Sequence, residues 1–211
     1  GEIIGISGNN GAGKSTLLAL LSGFLRPQSG SISIDGVNLE EFDTEFLRAQ
    51  TGIVPQQGVI FEGTILENMT LYREGRAAEQ AMQLAAKLGL GEIISKLPDG
   101  LDTYIGGSAA GRLSEGVKQK IIIVRSLIGN PGIIFFDDAN ANFDIKNDKK
   151  LVALVEEMKG SRTMIVVSHR PSFLRVCDRR FVLRDGVLVP ESAREPADSV
   201  TRANSLSLAG A

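Results

Sequence analysis

Short, wholly apolar runs alternate along this chain with longer stretches in which apolar residues recur at helical spacing. The apolar runs lie at 3–6, 132–136 and 163–167. Runs of this length are typical of strands that are buried on both faces of a parallel sheet. Helical spacing predicts helices over 17–21, 44–50, 77–88, 114–128 and 144–158. The alternation of the two patterns predicts an α/β fold with a mostly parallel sheet.

The patterns also divide the chain. The block 72–128 is nearly all helical and lies between segments of strand and helix, which predicts a helical subdomain inserted into the core. Two apolar triplets flank Asp185-Gly186, which predicts a β-hairpin. After Pro190 no period remains, so we expect residues 1–190 to form the domain and 191–211 a disordered tail.

The first predicted strand and helix are joined by a glycine-rich stretch with the spacing G-x-x-x-x-G-K-[ST]. Its residues are Gly8, Asn9, Asn10, Gly11, Ala12, Gly13, Lys14, Ser15 and Thr16. Backbone amides of such a loop point inward at the positive end of a helix and bind phosphate, while Lys14 reaches the β- and γ-phosphates and the Ser15 hydroxyl binds Mg²⁺. The alternative is a glycine-rich turn that binds nothing, but a preceding strand and a following helix favour phosphate binding.

Three further polar groups follow predicted buried strands. Asp137 and Asp138 end the strand at 132–136, His169 follows the strand at 163–167, and Gln56 follows a short strand at 52–54. Ligands of parallel sheets bind at the carboxyl ends of the strands. We therefore expect Asp137 to hold Mg²⁺, Asp138 to orient or deprotonate water, and His169 to contact a γ-phosphate. The alternatives are that the two acids only end a strand and that the histidine is structural.

Composition excludes several classes of protein. The net charge of −2 over 211 residues gives no basic surface for nucleic acid. The single cysteine, Cys177, excludes an internal disulfide and fits a reducing compartment. No apolar run reaches the eighteen or so residues that a membrane-spanning helix needs.

Six elements, in this order, resemble the nucleotide-binding domain of ATP-binding cassette (ABC) transporters. They are the phosphate loop, Gln56 after Ile53-Val54-Pro55, Leu113-Ser114-Glu115-Gly116-Val117, the strand ending at Asp138, Ala141-Asn142-Phe143-Asp144, and Val167-Ser168-His169-Arg170. The resemblance covers about residues 1–190. It implies a P-loop NTPase (RecA-like) core from which the family's N-terminal antiparallel β-subdomain is largely missing. The stretches 61–68 and 97–103 look like the exporter branch of the family.

The resemblance further implies that two such domains, identical or different, pair head to tail with two ATP molecules and Mg²⁺ between them. Ser114 and the Gly116 amide would cap the partner's γ-phosphate. Gln56 would touch Mg²⁺ or the attacking water, and Asp144 would lie on the loop that joins the two sites. A transmembrane domain on the same full-length chain would be driven by ATP hydrolysis at the cytoplasmic face of the membrane.

Several positions depart from the family pattern. Asp138 stands where a general-base glutamate is usual, a loss of reach of about 1.5 Å, and general-base catalysis contributes roughly 10²–10⁴-fold. Glu115 brings a carboxylate toward the partner's γ-phosphate, where repulsion would be about 3 kcal/mol at 6 Å and an effective dielectric near 20. Val117 also replaces the usual glutamine of the signature sequence.

Two hypotheses follow from the resemblance: an active ATPase that drives export, and an ATP-binding but slow or inactive half of an unequal pair. A soluble ABC-type ATPase of DNA repair or translation would need coiled-coil insertions or a basic surface, and neither is visible in the sequence. A small-molecule phosphoryl transferase would not explain the region around Ser114.

Overall fold

The computed structural model describes residues 1–73, 75–106 and 113–191, which form ten strands and eight α-helices. The strands are β1 (Ile3–Ser7), β2 (Ser33–Ile34), β3 (Val37–Asn38), β4 (Thr51–Val54), β5 (Gly63–Thr64), β6 (Tyr104–Ile105), β7 (Ile133–Asp137), β8 (Thr163–Val167), β9 (Arg179–Arg184) and β10 (Val187–Pro190). The helices are α1 (Lys14–Leu21), α2 (Thr44–Gln50), α3 (Ile65–Thr70), α4 (Ala77–Lys87), α5 (Gly91–Ile94), α6 (Glu115–Leu127), α7 (Ile145–Met158) and α8 (Pro171–Leu174).

Six strands form one sheet in the order β10-β9-β1-β8-β7-β4. All neighbouring pairs are parallel except β9 and β10, which pair antiparallel at one edge. The predicted α/β fold with a mostly parallel sheet is confirmed. In the register, Val167 of β8 lies opposite Ile6 of β1 on one side and Asp137 of β7 on the other, so these strands end at the same edge of the sheet.

The apolar runs are strands because both faces of the sheet are covered. Phe135 belongs to a cluster that includes Leu18 of α1, whereas Phe136 belongs to a larger cluster that includes Val124 of α6 and Val155 of α7. Successive side chains of a strand point to opposite faces. Helices therefore pack on both faces of β7, as the wholly apolar run predicts.

The mainly helical block 72–128 contains α4 and α6, as predicted, the short helix α5, and also the strand β6, which was not predicted. β6 pairs antiparallel with β5 outside the central sheet. α6 packs against α3 and α4 and also against β4 of the central sheet. The division into a core and an inserted helical subdomain stays a prediction.

Two hairpins turn at the same dipeptide. The predicted hairpin at Asp185-Gly186 is confirmed by β9 and β10, and a second hairpin, β2 and β3, turns at Asp35-Gly36. All four turn residues have positive φ, between 48° and 84°, the backbone that a two-residue type I′ turn requires. The alternation of polar and apolar residues over 31–34 predicts a longer strand than β2, but only Ser33 and Ile34 pair with β3.

Two predictions fall at or beyond the described residues. The glycine- and alanine-rich stretch 106–112 predicts a loop, of which only Gly106 is described, and of the predicted tail over 191–211 only Glu191 is described. Within the described ranges, every helix is too short or too polar to cross a bilayer.

Candidate phosphate-binding site

The glycine-rich stretch forms a tight loop between β1 and α1. Gly8, Gly11 and Gly13 have φ of 152°, 81° and 96°, a backbone that residues with a side chain rarely adopt. A Cβ at Gly8 would lie 2.6 Å from the Leu183 carbonyl oxygen, because the loop passes close to β9. Gly13 is the N-cap of α1, so no side chain covers the amide groups at this end of the helix.

Lys14 is buried, and its ammonium group lies across the loop. Its Nζ donates to the Gly8 carbonyl at 2.8 Å and to the Asn9 carbonyl at 2.9 Å. The first turn of α1 contains no acidic residue. The positive end of the helix and the ammonium therefore act in the same place, which is the arrangement that binds phosphate.

A cleft of about 640 Å³ opens beside the loop. It is lined by Ser7, Gly8, Asn9, Asn10, Gly11, Ala12, His169, Val182, Leu183, Arg184, Asp185, Gly186 and Glu191. Sequence reasoning identified the loop and His169 but missed the hairpin side of the cleft. The hairpin lies there because β9 pairs with β1, and no sequence pattern shows which strands become neighbours.

The carboxyl ends of β7 and β8 bring Asp138 and His169 together. The Asp138 amide donates to the Val167 carbonyl at 2.9 Å, and His169 Nε2 lies 3.8 Å from Asp138 Oδ2. The side chain of Asp138 is 18% exposed and that of His169 is 48% exposed. The pair therefore has a carboxylate held against the sheet and an imidazole that reaches toward the cleft.

Gln56 is exposed and follows β4, which pairs with β7 on the side away from β8. The preceding residue is held by α6, because Gln119 Nε2 donates to the Pro55 carbonyl at 2.8 Å. Ser126 of the same helix donates to the Ile53 carbonyl at 2.6 Å. Gln119 and Ser126 were not identified from the sequence, since their partners lie 64 and 73 residues away.

Ser114 is the N-cap of α6, and its hydroxyl accepts a hydrogen bond from the Val117 amide at 3.4 Å. The hydroxyl proton remains free to donate. The Glu115 carboxylate forms an ion pair, because its Oε1 lies 2.7 Å from Lys118 Nζ. A Cβ at Gly116 would lie 3.8 Å from the Asn142 carbonyl oxygen, so the start of α6 lies beside the loop that leads to α7.

Asp144 ends that loop as the N-cap of α7, where its carboxylate accepts from the Asn147 amide at 2.7 Å. In the part of the chain that the structure describes, the cleft lining includes neither Asp144 nor Ser114, Gly116 and Gln56. Residues 8–12 of the predicted loop and His169 line the cleft. The start of α6 and Asp144 lie outside it, and the other predicted residues (13–16, Gln56, Asp137 and Asp138) are not among its lining residues.

The predicted metal ligands Ser15, Asp137 and Gln56 suit a magnesium ion that is also bound by phosphate and water, rather than a metal bound by protein side chains alone. Ser15 lies in the first turn of α1, Asp137 ends β7 and Gln56 follows β4. Among residues 1–73, 75–106 and 113–191, no group of three or more His, Cys, Asp or Glu could hold a metal ion. Magnesium in phosphate sites is bound through one or two carboxylates together with substrate phosphates and water. One carboxylate with neutral oxygens fits that requirement.

Comparison with known families identifies the chain. A family model described as ABC transporter matches residues 1–141. The chain belongs to the ABC transporter family. The resemblance seen in the sequence is therefore confirmed at the level of the family.

Curated relatives within the ABC family match most of this chain. It is 36% identical to the alpha-hemolysin translocation ATP-binding protein HlyB of Escherichia coli over 191 residues, which are 90% of this chain and 27% of the relative. It is 37% identical to the leukotoxin translocation ATP-binding protein LktB of Mannheimia glucosida, with the same coverage. ABC transporter B family member 21 of Arabidopsis thaliana is 33% identical over 92% of this chain and 15% of its own length.

A solved structure is similar along the same span. The structure of a bacterial Atm1-family ABC exporter with ATP bound superposes with a TM-score of 0.83 at 35% identity, covering 89% of this chain and 33% of that one. The ABC domain described here thus spans about a quarter of the two toxin-translocation relatives and a third of the exporter chain.

Proposed function

We propose that this ABC domain binds ATP with Mg²⁺ and hydrolyses it to ADP and phosphate to power a transporter of the exporter type. The observation that carries the proposal is the Lys14 ammonium, bound across the glycine loop at the uncapped start of α1. A buried ammonium at an open helix end does not contribute to the packing of an apolar core, and its charge is opposite to that of a triphosphate.

The phosphates of ATP would be bound by the amides of residues 8–16 and by Lys14. Ser15, Gln56 and Asp137 would hold magnesium, which supplies charge neutralisation between the β- and γ-phosphates when it is bound. Phosphoryl transfer demands little covalent chemistry from the protein. Most of the catalysis is positioning and charge stabilisation by groups fixed in advance.

Hydrolysis would use the Asp138–His169 pair. The Asp138 carboxylate orients the attacking water and accepts its proton, while His169 donates a hydrogen bond to a γ-phosphate oxygen. The oxygen of water forms the new bond to phosphorus, and the bond to the β-phosphate oxygen breaks and leaves ADP. Asp138 is half-buried and its amide is bound to Val167, so the carboxylate has little freedom to make up for its shorter side chain.

A second ATP-binding domain, identical or different, would complete the site. Ser114 is exposed, its hydroxyl donates to no acceptor among the described residues, and it does not line the described cleft of its own chain. The start of α6 would therefore bind the γ-phosphate held by a partner in a head-to-tail pair. The Glu115–Lys118 ion pair supports this role, because it offsets the repulsion that an isolated carboxylate would cause.

A transmembrane domain, on the same full-length chain, would be the other partner at the cytoplasmic face of the membrane. Two of the relatives are translocation proteins by name, and this chain spans about a quarter of each. Large apolar side chains are exposed between Gln56 and α4 and on β6, namely Val59, Phe61, Leu71, Tyr72 and Tyr104. Exposed apolar residues in one region are typical of protein contacts.

A second candidate is an ATP-binding half of an unequal pair that hydrolyses slowly. Asp138 favours it, since the carboxylate is shorter by one methylene than the usual glutamate. Binding and closure of the pair would then be retained, and the orthodox partner would supply most of the turnover.

The test combines nucleotide binding, phosphate release and oligomeric state. With Mg-ATP, we expect the chain to bind nucleotide and release phosphate, and the Asp138→Asn variant to bind nucleotide and accumulate as a dimer in light scattering. Lys149→Ala, an exposed lysine of α7, is the matched control for binding. Failure of the wild-type chain to bind Mg-ATP would overturn the proposal. Phosphate release no faster than that of Asp138→Asn would select the slow half of an unequal pair.

A further inference from the structure

Three fully or nearly fully buried polar side chains lie directly behind the Asp138–His169 pair. The residues are Asn140, Asp148 and Ser168, which are 1%, 6% and 0% exposed. Burial of polar groups costs free energy unless they are hydrogen-bonded. Every buried side-chain nitrogen or oxygen in the described ranges has a partner, so these three residues are a satisfied network.

The contacts form a chain of short links. Asn140 Nδ2 donates to Asp148 Oδ1 at 2.6 Å, and Ser168 Oγ donates to Asn140 Oδ1 at 3.3 Å. The Arg170 amide then donates to Ser168 Oγ at 3.1 Å. Asn140 thus uses both ends of its carboxamide, as a donor toward α7 and as an acceptor toward the loop after β8.

Arg170 closes the links into a ring. Its guanidinium donates to the Ala141 carbonyl at 2.9 Å and lies 3.8 Å from Asp148 Oδ1. The polar ring is therefore Asn140, Asp148 and Ser168, which are buried, and Arg170, whose side chain is 33% exposed. It joins three segments that are distant in sequence: the loop after β7, the first turn of α7 and the loop after β8.

The ring lies beside the two residues proposed for hydrolysis. His169 lies between two ring members, Ser168 and Arg170, and Asp138 lies two residues before Asn140. Neither belongs to a regular strand, and Asp138 has a φ of 44°, which is costly for a residue with a side chain. The His169 side chain is 48% exposed, so surrounding apolar atoms do not enclose it.

We propose that Asn140 and Asp148 are positioning residues, which act through the ring to fix the His169 imidazole relative to the Asp138 carboxylate. The ring holds the backbone on both sides of His169 and the loop that carries Asp138. Only the activity readout of this proposal rests on the proposed hydrolysis. If the only role of the ring were to stabilise the fold, its loss would lower the free energy of unfolding and leave the surroundings of His169 unchanged.

An exchange of two functional groups separates the alternatives. Asn140→Asp sets two buried carboxylates 2.6 Å apart, and they repel each other. Asp148→Asn keeps an amide hydrogen bond to Asn140 and removes only the charge near Arg170. The double variant Asn140→Asp/Asp148→Asn restores one carboxylate and one carboxamide in contact. Asn147→Asp, the same chemical change at a less buried position of α7, is the matched control.

The chain has a single histidine, so the imidazole Cε1–H correlation is one peak whose assignment is unambiguous. We expect Asn140→Asp to shift or split this peak, Asp148→Asn to shift it less, and the double variant to return it toward its wild-type position. In Mg-ATP turnover, we expect Asn140→Asp to lower kcat about tenfold to a hundredfold. Affinity for a fluorescent ATP analogue should stay within about twofold, because the phosphate loop is on β1 and α1.

The outcomes are distinct. A folded Asn140→Asp variant with lower thermal stability and an unchanged histidine peak would overturn the proposal. If Asn140→Asp does not fold, Asp148→Asn decides, since an unchanged peak and unchanged kcat there would also overturn it. Absence of any turnover in the wild type would count against the proposed hydrolysis and leave the NMR comparison to decide the role of the ring.

Discussion

Two helices of this chain begin at loops that present amide groups, and their first turns differ in charge and in exposure. α1 begins after Gly13, has no acidic residue in its first turn and starts with a buried lysine. α6 begins after Ser114, which caps it, and has Glu115 in its first turn. The positive end of a helix favours anions in both cases. Of the two, only α1 combines the helix end and the loop amides with the ammonium group of a lysine side chain.

The enclosure of the two ends differs as well. Residues 8–12 of the loop that leads to α1 line a cleft together with His169, whereas Ser114 and Glu115 are exposed at the surface. At α6 the charges of Glu115 and Lys118 cancel at 2.7 Å. These differences support our proposal that α1 binds phosphate within one chain, while α6 would supply amide and hydroxyl donors to a phosphate bound by another molecule.

Removal of the α1 cation should have the largest effect. We expect Lys14→Ala to weaken Mg-ATP binding about a thousandfold. The Lys14 ammonium would donate two hydrogen bonds to the phosphates, and each hydrogen bond from a charged donor is worth about 1.5–3 kcal/mol. Isothermal titration calorimetry measures the change, with Lys149→Ala as the control. Unchanged affinity of Lys14→Ala would contradict the proposed difference between the two helix ends, because the lysine of α1 would then add nothing to phosphate binding.

The next effect separates binding at α1 from chemistry at the strand ends. We expect Asp138→Asn to keep Mg-ATP affinity within about threefold of the wild type and to lower kcat about a hundredfold, the lower end of what general-base catalysis contributes. Asp138→Glu should raise kcat, because it restores the missing methylene. Phosphate release under saturating ATP is the measurement. Equal kcat for wild type, Asn and Glu would show that Asp138 is not the base.

A smaller effect is expected at α6. Lys118→Met leaves the Glu115 carboxylate unpaired at the helix end that would face a partner's phosphate. We expect ATP-dependent dimerisation to weaken about fivefold, an effect of about 1 kcal/mol that is typical for a charge at a helix terminus. Analytical ultracentrifugation in the Asp138→Asn background measures it, and the further change Glu115→Gln should restore association. Equal dimerisation of Lys118→Met and its background would mean that α6 does not meet a phosphate.

The same two regions show how far the sequence predicts the molecule. The loop at α1 and the pair of Asp138 and His169 were predicted, because parallel strands bring their carboxyl ends to one edge and each residue directly follows an apolar run. The helix at 44–50 was also predicted and is confirmed, and of its two candidate caps, Asp43 and Thr44, the structure has Asp43, which accepts from the Phe46 amide at 2.9 Å. These features depend on residues that are close in sequence.

Other features depend on distant residues and were not predicted. Asn140 and Ser168 are 28 residues apart, and Gln119 and Pro55 are 64 apart, so no local period indicates that they meet. The strands β5 and β6 have two residues each, which is too few to show an alternation of apolar and polar positions. The ion pair of Glu115 and Lys118 has helical spacing and could have been inferred from it.

The smallest effect tests whether the cap itself distinguishes α6 from α1. Ser114→Gly gives α6 the same kind of N-cap that Gly13 gives α1. Because glycine is a tolerable N-cap, we expect the free energy of unfolding to fall by only a few tenths of a kcal/mol, against about 1 kcal/mol for Ser114→Ala. Both variants lose the exposed hydroxyl, so both should lower turnover by about twofold to threefold at limiting protein concentration, the loss of one net hydrogen bond of about 0.5 kcal/mol. Urea unfolding and phosphate release are measured on both variants. If turnover follows stability, falling with Ser114→Ala and not with Ser114→Gly, then the hydroxyl serves only as a cap and the two helix ends differ in charge and exposure alone.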